Sequence, residues 1–145
     1  MAISMIIDSV KFILLGTGIT LAVTAIALPL GIVVGLPLAL LRVYGGSAIS
    51  RLITLYSTVM RGIPPIVLLF LLFFVIAGSI NLSPFLAGSF ALGIISSGYQ
   101  LEIFRGGIRS VGSDQMMAAR SIGLTKNKSV RVIILPQALR ASIPS

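Results

Sequence analysis

Uncharged, largely apolar residues run without interruption from Phe12 to Leu41. That stretch exceeds the roughly 20 residues that carry an α-helix across a hydrocarbon layer about 30 Å thick. It predicts a first crossing over about 12–41, tilted or with its Gly16 and Gly18 start at the interface. Arg42 closes it. Over 43–61, Ile49, Leu52, Ile53, Leu55 and Tyr56 mix with Arg51 and Arg61, the pattern of an amphipathic helix lying on or entering a membrane. A second apolar stretch, about 63–80, opens with Pro64 and Pro65, where a missing backbone N–H costs a helix least. Residues 78–84 read as a turn. A third crossing over about 85–101 carries Gly88, Ser89, Gly93, Ser96, Ser97 and Gly98, as in helices that pack closely or border a polar path.

The cations give this pattern a direction. With three crossings, Arg42, Arg51, Arg61 and all seven Lys and Arg residues from Arg105 to Arg140 fall on one side, and only Lys11 falls on the other. By the positive-inside rule the basic side is cytoplasmic and the N-terminus lies outside. Hydrophobic residues make up 57% of the 145-residue chain and charged ones only 10%, against about a quarter in soluble domains. The reading is therefore one all-α membrane domain over 1–145.

Cysteine and histidine are absent, which removes disulfides and the usual zinc ligand sets from consideration. The three acidic residues, Asp8, Glu102 and Asp114, are far apart in sequence, and there is no phosphate-binding P-loop. Neither catalysis nor a metal site is expected of this chain. Glu102 ends the third apolar stretch; it is a candidate for a substrate path, together with Ser96, Ser97 and Tyr99, or for a simple ion pair with Arg105. For Glu102 the ion pair is the favoured reading, because it stands at the end of the crossing three residues before Arg105; against Ser96 and Ser97 stands the habit of Ser in membrane helices of bonding its own backbone. Gly31 and Gly35 form a small-xxx-small pattern, which sets helix contacts in some membrane proteins and arises by chance in others.

The basic C-terminal segment differs in kind. Ser113 and Asp114 suit a helix start, 115–122 makes about two turns, and Gly123 suits the left-handed position that stops a helix. Thr125 suits the cap of a second helix through Leu135, which Pro136 interrupts or ends. A short helix, a glycine turn and another helix on the basic face make a protein-docking element.

Residues 117–136, MAARSIGLTKNKSVRVIILP, resemble the EAA motif of ABC importer permeases: E-A-A, three residues, G, nine residues, then I-x-L-P. Ala118, Ala119, Gly123, Ile133, Leu135 and Pro136 stand on motif positions. The flanks Glu102-Ile103-Phe104-Arg105-Gly106-Gly107-Ile108 and Pro136-Gln137-Ala138-Leu139-Arg140 are similar to those of the polar amino-acid branch, as is Arg61-Gly62-Ile63-Pro64 to its R-G-T-P. Three departures accompany the match: Met117 replaces the motif's Glu, Ile63 replaces Thr, and Leu68 stands where the branch often has Gln.

The resemblance implies a permease subunit of an ATP-driven polar amino-acid importer in the bacterial inner membrane, whose EAA segment is a coupling helix that docks on an ABC ATPase subunit. Met116, Met117 and Ile122 would be its apolar anchors, Ala118 and Ala119 would allow close approach, and Gly123, Ile133, Leu135 and Pro136 would shape the turn and the helix after it. The implied partners are the ATPase, a second permease subunit of the same or a related chain, an extracytoplasmic amino-acid-binding protein and membrane lipid. Nucleic acid is not among them. The chain itself would bind no cofactor, since ATP belongs to the partner subunit. The family would continue past Ser145 into about two further crossings, so the chain reads as an incomplete version of a five-helix permease. The alternative is a non-transporting membrane fragment or interaction subunit whose basic loop binds lipid or a protein.

Overall fold

The computed structural model of the protein describes residues 2–80 and 82–143; Asn81 in the expected turn, and the final Pro144 and Ser145, lie outside that set. The described residues form α-helices joined by short links, with one π turn and no strand among them. The all-α reading holds.

The first helix, α1 (Ala2–Tyr44), runs 43 residues, about 65 Å at 1.5 Å per residue. It begins ten residues before the apolar stretch that predicted it, and neither Gly16, Gly18, Pro29 nor Pro37 breaks it. Phe12, Leu14, Leu15 and Leu21 along its first half are each about two-thirds exposed. In water such a surface invites aggregation; against hydrocarbon it is the ordinary state of a spanning helix. Among the described residues α1 is the helix that alone is long and apolar enough to cross a membrane.

Helix α2 (Ser47–Gly62) is the amphipathic segment, and α3 (Pro65–Ile80) is the second apolar stretch. The two meet at a bend of 109°. Its cause is local: the ring of Pro64 disfavours helical backbone at the residue before it, and Ile63 is extended at φ −94°, ψ 136°. Pro65 then occupies the first helical position. Helix α3 keeps Gly78 and Ser79, which the expected turn over residues 78–84 had included. Ser83 opens α4 (Pro84–Ser110) by accepting a hydrogen bond from the Leu86 N–H at 3.4 Å.

Helix α4 is the centre of the molecule: its most extensive contact is with α1, and it also meets α2, α3 and α7 (Leu135–Ser142). Its buried positions are mostly small or polar, including Ala87, Ser89, Ala91, Gly93, Ser97 and Gly98. The opposing stripe on α1 is Ala27, Gly31, Gly35 and Ala39, four apart and all buried, so one face of a helix with no large side chains lies on α4. A Cβ added at Gly35 would stand 3.0 Å from the Ser97 carbonyl oxygen and 3.1 Å from the Leu101 backbone nitrogen. Backbone atoms in a helix cannot move aside, so Gly35 is needed for this approach and the Gly31/Gly35 spacing is a true contact.

Gly35→Ala should therefore destabilise the chain by about 1–3 kcal/mol, the usual cost of overpacking. Gly16→Ala, which meets nothing within 4 Å, should be neutral or gain up to about 1 kcal/mol of helix propensity. Thermal unfolding of both variants in detergent checks the contrast.

Candidate functional site

After Ser110 the chain turns at Gly112, held at φ +79°, into α5 (Ser113–Ser121), with Asp114 in its first turn where a negative charge meets the positive end of the helix dipole. Gly123 stops α5 at φ +84°. Its N–H donates to the Arg120 carbonyl at 3.0 Å and that of Leu124 donates to the Ala119 carbonyl at 3.1 Å, the paired bonds of a Schellman stop. Thr125 then caps α6 (Lys126–Ser129), its hydroxyl accepting from the Lys128 N–H at 3.4 Å. Each of these features follows from residues within a few positions of one another.

Pro136 does not end the helix. The chain stays helical from Lys126 to Ser142 because residues Val130–Ile134 widen into a π turn, in which the Leu135 N–H donates to the Val130 carbonyl. A proline ring clashes with the carbonyl four residues back and supplies no N–H. The wider π turn, a common single-turn insertion in helices, relieves both constraints, and Pro136 takes the first turn of α7.

The motif residues divide into two sets. Ala119 is buried, and Met116 and Ile133 pack on a small core of Ala39, Ile108, Ile134 and Ala138. These residues hold the loop to the body of the protein: Ala119 is closed to another surface, and Met116, half-buried, rests its inner side on the core. Met117, Ala118, Ile122 and Gly123 are exposed, Ile122 at 76%. Leu135 is half-buried and Pro136 is exposed. The loop's seat is close-packed as well, for a Cβ on Gly107 of α4 would reach within 2.5 Å of the Ala138 carbonyl of α7.

At the foot of this loop Glu102, one residue past the apolar part of α4, gathers charge from three helices. It accepts from Arg42 of α1, from Arg105 at 2.7 Å and from the Ser57 hydroxyl of α2 at 2.5 Å, with Arg61 3.8 Å away. The ion-pair reading of Glu102 and Arg105 is correct but incomplete. Arg42, Ser57 and Arg61 lie 41 or more residues away in sequence, and nothing local marks them as partners. Burial alone would push the Glu102 carboxyl up; the Ser57 hydroxyl and the Arg105 and Arg42 guanidinium groups outweigh it and hold the group down at about 2.

The other path candidates are not brought together. Ser97 faces α2, where its hydroxyl is 2.5 Å from that of Tyr56 and donates to the Ile94 carbonyl at 2.7 Å. Ser96 faces α1 and accepts from Gln100 Nε2 at 3.0 Å; Gln100 also donates to the Leu28 carbonyl at 3.3 Å. Tyr99 is 40% exposed. Tyr56, read in sequence only as part of the amphipathic face, and Gln100, which sequence reading passed over, act as polar cross-links between helices; the signal for Gln100 was a polar residue within an apolar stretch.

Glu102→Gln removes the anion that offsets three guanidinium groups, and should cost about 1–3 kcal/mol of stability, the range for loss of a hydrogen-bonded charge from a part-buried site. The pH dependence follows the same residue. Because its folded value lies below the ordinary 4.5, its contribution is present above about pH 4.5 and is lost as pH falls toward 2. The other acids are only Asp8 and Asp114, so melting temperature should fall between pH 5 and 2 in the native chain and much less in Glu102→Gln.

Residues 27–145 match the family described as "Binding-protein-dependent transport system inner membrane component". The glutamate/aspartate import permease protein GltK of Escherichia coli O157:H7 is 33% identical over 97% of this chain and 67% of its own length. The probable glutamine ABC transporter permease protein GlnM of Bacillus subtilis is 35% identical over 99% of this chain and 67% of its own. The putative glutamine transport system permease protein GlnP of Rickettsia conorii is 35% identical over 92% of this chain and 62% of its own. A crystal structure of an amino acid ABC transporter with histidines superposes with a TM-score of 0.77 at 35% identity, over 95% of this chain and 66% of that one. The chain thus spans about two thirds of the length of these relatives, and by its helical fold, its EAA segment and these matches it belongs to the family of inner-membrane components of binding-protein-dependent transport systems.

Proposed function

We propose that the chain is a transmembrane permease subunit of an ATP-driven importer for polar amino acids, with α5 as the coupling helix that docks on a separate ATPase subunit. The observation that carries the docking reading is the outward set Met117, Ala118 and Ile122, an apolar patch on a short helix whose inward residues and Schellman stop hold it rigid. A rigid apolar face suits insertion into a groove, because little freedom is lost on binding. Met117 in place of the motif's Glu makes that contact apolar. The polar amino-acid class is supported by the relatives described as glutamate/aspartate and glutamine permeases.

ATP and its hydrolysis belong to the partner in this reading. A second permease subunit completes the pathway, and an extracytoplasmic binding protein delivers the substrate. The apolar portions of α1, α3 and α4 make three crossings, and the asymmetry of Lys and Arg puts the docking loop in the cytoplasm and the N-terminus outside. Motion of the ATPase reaches the membrane helices through α7 and Gly107 of α4, where loop and core are in closest contact.

Gly123→Pro cannot adopt φ +84° and loses the N–H bond to Arg120. It should abolish copurification with the ATPase subunit while membrane insertion persists, and Ile122→Asp should weaken it about tenfold or more, as loss of a central anchor does. Both variants binding as well as the native chain would defeat the docking assignment.

A further inference from the structure

A groove of about 600 Å³ runs between the C-terminal end of α1 and the helix that follows the coupling turn, and it takes no part in the docking face. Leu41 and Tyr44 wall it on one side, Val130 and Leu135 on the other, and Lys126 and Arg131 stand at its rim. Its position is telling. It begins where the uncharged stretch of α1 gives way to Arg42, the depth at which hydrocarbon meets headgroups. Leu41 is 48% exposed, so the wall offers apolar surface to an outside molecule.

The two cations differ in how they are held. Lys126 Nζ donates to the Tyr44 carbonyl at 3.1 Å and lies 5.4 Å from the centre of the Tyr44 ring, which fixes it beside the groove. An ammonium has three donors, so others remain for an anion. Arg131 is exposed and has no ion pair or hydrogen bond among the described residues, leaving its planar fork for a phosphate. Among the described residues no carboxylate lines the groove. With apolar walls on both sides and two cations at the mouth, it complements a molecule with an acyl chain and an anionic head.

We infer that this groove binds an anionic phospholipid, with the phosphate on Lys126 and Arg131 and an acyl chain along Leu41, Val130 and Leu135. A bound lipid would bridge α1 and the loop from outside, adding to the Lys126–Tyr44 contact. The inference does not depend on which membrane face is cytoplasmic or on what docks at α5.

The test is native mass spectrometry of the full chain in detergent, titrated with dioleoyl phosphatidylglycerol and with dioleoyl phosphatidylcholine. The native chain should prefer the anionic lipid. Lys126→Gln with Arg131→Gln should lose that preference by about tenfold or more. Exchange of the two cations, Lys126→Arg with Arg131→Lys, should keep it. Removing two cations elsewhere on the loop, Arg120→Gln with Lys128→Gln, should change it little; an equal loss there would mean attraction to bulk charge and would overturn the site. Leu41→Gln, which keeps both cations, should weaken the lipid. Displacement by equimolar inorganic phosphate would show a site for the free anion and would overturn the lipid assignment.

Discussion

Apolar helices in a bilayer gain little by exchanging lipid neighbours for apolar side chains, so their association depends on packing at short range and on hydrogen bonds. Here that constraint falls on α1 and α4. The stripe Ala27, Gly31, Gly35 and Ala39 lets the α1 backbone lie on the backbone of α4, where the Ser97 carbonyl leaves no room for a Cβ at Gly35. Gln100 reaches across the same seam to the Leu28 carbonyl. The contact sets the register of the two helices, and with it the meeting of Arg42 with Glu102, sixty residues away.

From that register the arrangement of the basic end follows. Glu102 draws Arg42, Arg61, Arg105 and Ser57 to one point, tying α1, α2 and α4 just beyond the apolar part of α4. Ala39 of α1 and Ile108 of α4, brought side by side, form with Ile134 and Ala138 the core on which Met116 and Ile133 rest. The docking loop is thus seated on the same pair of helices that the glycine contact joins. Met117, Ala118 and Ile122 point away because Met116 and Ala119 point in.

Features written in a few neighbouring residues were legible in the sequence: the Gly123 stop, the Thr125 cap, the start of α5 at Ser113 and the start of α3 at the Pro64-Pro65 pair. The family was legible too, since the EAA spacing fixes residue types over a long stretch. Features that need a partner were not. Gly31 and Gly35 gave a spacing but not the backbone opposite it, and Glu102 gave a near neighbour in Arg105 but not Arg42 or Ser57. Pro136 left interruption and ending of the helix both open, because the π turn that accommodates it depends on the whole of residues 130–134. The inward turn of Ala119 and Met116 depends on the core supplied by α1, α4 and α7.

The central claim is that one face of α5 is seated on the protein while the other is presented to an ATPase subunit. The natural absence of cysteine allows a direct measurement: single cysteines at Met116, Met117, Ala118, Ala119 and Ile122, each paired with a cysteine in the groove of the coexpressed ATPase subunit, and disulfide formation scored in membranes. The account predicts crosslinks from Met117, Ala118 and Ile122 and none from Met116 and Ala119. Equal crosslinking at all five positions, or crosslinking from the inward pair alone, would contradict it.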